Sequence, residues 1–180
     1  LNDNFYDSRL VLEPAAGQLF GSHNFEQIEV TEDANASSTI EGSTESIDSE
    51  VSKVAELVMS HARWTPEDSL MVVTASRTHA ERIDQLVRQE THKQPQLAEF
   101  FDAHGREKFE CISMSELTHR LADRVIFSVG FGRTPEGKIS GTLGDFNFQH
   151  VSGWMVNQIV SARKRMTVVS CYNFEDFAAG

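Results

Sequence analysis

At 180 residues the chain has the length of one ordinary domain with a core of its own, and its formal net charge of −11 argues against a surface that binds duplex DNA by bulk charge alone. Residues 10–52 hold nine acidic residues and no Lys or Arg, leaving 16 basic against 18 acidic elsewhere, so overall acidity does not exclude nucleic acid as a partner. No apolar run is long enough to span a bilayer, no signal peptide is visible, and the first residue, Leu1, points to a fragment of something longer. Cys111 and Cys171 lie in apolar strand-like runs with no zinc-type spacing, which reads as reduced core thiols and a cytoplasmic protein.

Taken in order, Phe5, Tyr6 and Leu10–Leu12 form an aromatic–apolar cluster before Pro14 and Gly17, and FEQIEV (25–30) alternates as a short strand does. Residues 31–46, rich in Ser, Thr and Glu, read as a mobile acidic loop. SEVSKVAELVMSHARW then places Val51, Val54, Ala55, Val58 and Ala62 on one helical stripe. SLMVVTAS (69–76) is a buried strand, and RTHAERIDQLVRQE a helix with Ala80, Ile83, Leu86 and Val87 inward. A short helix, LAEFFDAHG, stops near Gly105; KFECISM and DRVIFSVGFG (123–132) are strands; GRTPEGKISGTLGDFN is a Gly-rich loop. Helix 151–163 and strand 166–172 close the series. Strands alternating with helices of this length predict an α/β fold with a mostly parallel sheet covered on both faces. Residues 1–46 are expected to be an arm, strand and loop belonging to the same domain, and 47–180 its core.

The chain lacks GxxxxGK[ST] and GxGxxG; its nearest stretch, Gly132 to Lys138, has the wrong spacing and a proline inside it. The seven histidines share no spacing with a carboxylate partner, and an isolated His usually meets a local hydrogen bond. Arg77 follows a strand directly, at the edge where ligands meet parallel sheets, although a solvated first-turn residue would look the same. The tetrad Ala162-Arg163-Lys164-Arg165 falls at a helix–strand junction, where the cations either favour the helix's C-terminal dipole or face a phosphate.

The order of these segments resembles superfamily 1 DNA helicases. FYDSRLVLEP is similar to their "FY-x-x-x-L" stretch, and residues 49–83 to the opening of their second RecA-like domain. DRVIFSVGFGRTPEGKIS resembles "D-V-I-hydrophobic-S-x-G-Y-G-R-T-P", and VNQIVSARKRMTVVSC resembles "N-V-A-hydrophobic-T-R-A-R-x-x-L-T-V-V-S". The likeness covers about two thirds of the chain, and is nearest to large bacterial helicase-like proteins in which a nuclease-like domain can follow.

The resemblance implies a RecA-like (P-loop NTPase type) fold acting as the second motor domain of an ATP-dependent DNA helicase or translocase. ATP and Mg²⁺ would sit on a first RecA-like domain absent from this chain. This domain would add arginines that stabilise transition-state charge. It would also contact single-stranded DNA. Position by position, Arg77 matches the motif IV arginine and His79 stands in place of Gln; Arg163 matches the second basic position of motif VI, while the finger arginine falls on Ser161. Gly130, Gly132 and Arg133 match the loop that approaches DNA. Before DRVIF, Arg120 replaces a Gly and Ala122 a ribose-binding Glu. Two outcomes follow. Arg77 and a displaced Arg163 serve a working motor, or the chain is a degenerate, non-hydrolysing module retained for DNA or protein binding. Either way the isolated chain, with no Walker A loop, is expected to be inactive and to bind ATP poorly. The motor reading requires Arg77 and Arg163 side by side at the ends of neighbouring strands.

Overall fold

The computed structural model describes residues 25–31, 38–40, 43–102, 108–118, 120–133, 142–143, 146–147 and 161–172. Its centre is a five-stranded sheet in the order β1 (Phe25–Glu29), β9 (Ala162–Ser170), β6 (Ala122–Ser128), β4 (Leu70–Thr74), β5 (Phe109–Ser113). All four pairings are parallel, so the α/β class with a parallel sheet expected from the sequence is what the chain forms. Helices α1 (Asp48–Trp64) and α2 (Arg77–Lys93) pack against each other and against one face. A 3₁₀ turn and the four-residue α3 (Ala98–Phe101) lead into β5.

Burial on both faces explains why β4 reads as an unbroken apolar run. Leu70 and Val72 join the stripe residues Val51, Val54, Ala55, Val58, Ile83 and Val87 on the helix side. Met71 and Val73 point the other way, into a cluster with Val125, Phe127, Met166, Ile47, Phe131 and Tyr172. Every residue expected on the α1 stripe is buried; on α2, Ala80, Ile83 and Val87 are buried and Leu86 half-buried. Ser76 caps α2 by accepting a hydrogen bond from the His79 amide.

Three expectations change. Residues 31–46 are not simply a loop: β2 (Ser38–Ile40) and β3 (Ser43–Glu45) form an antiparallel hairpin whose end, Glu45 and Ser46, is buried. The Gly-rich stretch contains a second small hairpin, β7 (Thr142–Leu143) with β8 (Phe146–Asn147). Most of the expected helix 151–163 lies outside the described residues, but its last two positions, Ala162 and Arg163, are already strand. The basic tetrad therefore opens β9 rather than closing a helix. Cross-strand carboxylates partner its cations, which a propensity reading of Arg-Lys-Arg does not foresee.

Candidate functional site

The strand order reverses direction between β4 and β6: from β4 the chain goes on to β5, from β6 to β9. In open α/β sheets this switch point, at the C-terminal ends of the strands, is where ligands usually bind. The first turns of α1 and α2 and the residues just after β6 meet there.

Between them lies a closed hydrogen-bonded set. Ser128 Oγ, at the end of β6, donates to Glu50 Oε2 at 2.7 Å, and the Gly130 amide donates to the same oxygen at 2.8 Å. His79 Nε2 is 2.8 Å from Ser128 Oγ, and its Nδ1 is 2.8 Å from Ser46 Oγ. One assignment of protons satisfies all of these contacts: Ser46 donates to His79, His79 to Ser128, and Ser128 to Glu50. Arg82 binds the Ser46 carbonyl and hydroxyl and the Asp48 carboxylate from outside. Glu50 and His79 have no exposed surface, and Glu50 Oε1 has no partner among the described residues.

Burial governs the protons here. It raises the Glu50 carboxyl to about 7, although the hydrogen bonds from Ser128 and Gly130, and the nearby Cys171 amide, act in the opposite direction. Burial, helped by the Arg82 charge, pushes His79 down to about 3, so the ring is neutral at physiological pH. Gly130 is fitted to this neighbour. Its φ is +73°, and a Cβ there would stand 2.5 Å from the His79 ring. A serine, a histidine and a carboxylate together suggest acyl-transfer chemistry, but the order is wrong: the carboxylate holds the serine rather than the histidine, and no member reaches solvent. The set is a structural plug.

The expected site residues divide between two edges of the sheet. Arg77 stands at the C-terminal edge, its side chain 74% exposed and 3.3 Å from Glu81. Gly130, Gly132 and Arg133 share that edge. The Gly130 carbonyl accepts from the Ser46 amide at 2.6 Å, the Gly132 carbonyl accepts from the Tyr172 hydroxyl at 2.6 Å, and the Arg133 guanidinium lies 5.4 Å from the Tyr172 ring centre. Ser161 and Arg163 are at the opposite, N-terminal edge, where the buried Ser161 accepts from the Ala122 amide. Register puts Val169, not Arg163, level with Ser128 and Thr74. Six residues of strand, about 20 Å, thus separate Arg163 from the edge carrying Arg77, and β6 runs between their strands. The two arginines are not side by side.

The remaining cations of the tetrad are held locally. Lys164 pairs with Asp68 and, at 3.7 Å, with Asp123; Arg124 meets Asp68 at 2.9 Å; Arg165 meets Glu26 at 3.2 Å. Burial alone would raise Asp68, but hydrogen bonds from Lys164 and Arg124 bring its carboxyl below the ordinary value. Asp123 is lowered chiefly by the Ser69 amide. His61, like His79, meets local partners, the Asp68 carbonyl and Thr65 Oγ1. Among the described residues no His, Cys, Asp and Glu group is arranged to hold a metal ion. A groove of about 630 Å³ between α2 and the outer edge of β5 touches none of the residues expected to act.

Spacing does not connect Glu50, His79, Ser128 and Ser46, whose hydrogen-bonded pairs lie 33 to 78 positions apart. A signal was nonetheless present. Glu50, Val54 and Val58 stand at i, i+4 and i+8, as do His79, Ile83 and Val87, so each polar residue extends an apolar stripe into the core.

No family model and no curated protein matches the chain. Among solved structures it is similar to the Pyrococcus furiosus Hef helicase domain, at 14% identity and a TM-score of 0.40. That likeness covers 74% of this chain and spans only 28% of the Hef chain. Among the described residues no helix is long and apolar enough to cross a membrane.

Proposed function

We propose that the chain is a non-hydrolysing, helicase-like module: a RecA-like domain kept within a larger protein to bind DNA or protein, without an assembled ATP clamp. The observation that carries this reading is the placement of Arg77 and Arg163 on opposite edges of the sheet. Two further features agree with it. Ser161 stands buried where the resemblance calls for an exposed arginine finger, and Glu50, His79 and Ser46 fill the switch-point crevice. These buried residues do not fit an ATP·Mg²⁺ group.

The motor reading retains one specific support: Arg77 is exposed at the C-terminal edge, the edge that also carries the Gly132–Arg133 segment expected to approach single-stranded DNA. ATP turnover by the full-length protein, with and without single-stranded DNA, separates the two. Absent turnover agrees with the module. DNA-stimulated turnover abolished by Arg77→Ala makes the chain a motor domain and overturns the proposal.

A further inference from the structure

Glu45, Ser46 and Ile47 run across the C-terminal edge of the sheet between the β2–β3 hairpin and α1. Ile47 packs into the apolar cluster on one face, while α1, which follows directly, covers the other. β3 does not belong to the main sheet; besides β2 it makes a single bridge, Glu45 to Phe131. Ser46 is the described non-glycine residue with positive φ, at 58°. L-residues adopt that conformation only when their surroundings impose it. Those surroundings are the Gly130 carbonyl on its amide, His79 on its hydroxyl, and Arg82 on its carbonyl and hydroxyl.

We propose that Glu45–Ile47 is a strap latched by Arg82 over the switch-point crevice, and that it opens as a unit, with the sheet intact, to bare Glu50 and His79. The strap stands where a ligand of this fold class would stand, held by the buried Ile47 side chain and by polar contacts from Gly130, His79 and Arg82. Only one of these, the Arg82 side chain, is partly exposed. Closure confines Glu50 with an oxygen lacking a partner, so the closed form prefers the protonated carboxyl and opening lets the carboxylate hydrate. The charged and titratable groups around it are Glu45 and Asp48 from the strap and α1, His79 and Arg82 from α2, and Cys171 and Tyr172 beyond β9. Ser128 at the end of β6 is neutral, and Arg133 beyond it lies over Tyr172. The inference concerns the crevice itself and holds whether or not the full-length protein turns over ATP.

Native-state hydrogen exchange, corrected for intrinsic rates, tests it at the Ser46 and Gly130 amides against those of Val72 and Val73 in β4. The two strap-linked amides should exchange together through an opening that leaves β4 protected. Arg82→Ala should lower their protection and leave β4 nearly unchanged. From pH 6 to 8 their protection should fall by about two- to threefold in the parent chain and about tenfold in His79→Gln, where Glu50 alone titrates. Exchange of Ser46 and Gly130 only in step with β4, or insensitivity of both to Arg82→Ala, overturns the latch. Should Arg82→Ala fail to fold, the comparison of strap and β4 amides in the parent chain decides alone.

Discussion

Replacing His79 by Gln should uncover a pH dependence of stability that the parent chain conceals. Glu50 has a folded-state value near 7 against an ordinary 4.5, so its contribution is complete below about 4.5 and is lost as pH rises through 7. His79 has a value near 3 against an ordinary 6.5, so its contribution is complete above 6.5 and is lost as pH falls towards 3. At about 1.4 kcal/mol per tenfold change, Glu50 alone makes the fold about 2.5 kcal/mol more stable at pH 5 than at pH 8. His79 alone makes it about 2 kcal/mol less stable over the same interval. The opposed contributions leave the parent's cluster flat to within about 0.6 kcal/mol between pH 4.5 and 8. His79→Gln, which retains a hydrogen-bonding side chain, should therefore lose about 2.5 kcal/mol between pH 5 and 8 where the parent loses about 0.5, and Glu50→Gln should gain about 2. Urea unfolding followed by circular dichroism at several pH values reads both differences. A His79→Gln profile parallel to the parent's would refute the buried, unevenly protonated pair.

Gly130→Ala places a methyl group against the His79 ring at a positive φ and should cost about 2–4 kcal/mol in urea unfolding, with Ser46 losing its register. Asp68→Ala removes the acceptor shared by Arg124 and Lys164 and should cost about 1–2 kcal/mol, whereas Arg163→Ala, at an exposed position on the same edge, should leave the urea midpoint unchanged. Asp68 and Asp123 are held below their ordinary values, so the stability they add is present above about pH 4 and disappears as pH falls through their folded-state values. Acid titration of the Asp68→Ala chain should show a shallower loss. Ile83→Ala empties a fully buried position and should cost about 2–5 kcal/mol.

The elements most legible in the sequence are those whose burial writes a period. The stripes of α1 and α2 and the continuous apolar runs of β4 and β6 begin within a residue of the positions their patterns predict, although β6 ends at Ser128 rather than Gly132 and α2 runs on to Lys93. The start of β9 is hard to read from sequence because Arg163, Lys164 and Arg165 carry no strand signal of their own; Asp68, Asp123 and Glu26, each remote in sequence, partner Lys164 and Arg165 in the extended run. The β2–β3 hairpin was hidden for a similar reason: a Ser/Thr/Glu-rich composition signals weak burial, yet Glu45 and Ser46 are buried through α2 and β6 partners. The candidate site is the least legible part. Collinear motifs fixed which residues to compare, but only strand register reveals that Arg77 and Arg163 occupy opposite edges, and only tertiary contact turns an isolated His79 into the middle of a polar plug.

That separation is directly measurable. With Cys111 and Cys171 replaced by alanine and spin labels attached at positions 77 and 163, pulsed electron–electron spin resonance should return a mean distance of about 22 Å or more, from six residues of strand and two interstrand spacings at right angles to them. A narrow distribution below about 15 Å would place the two arginines together, restore the shared phosphate clamp, and contradict the account given for this fold.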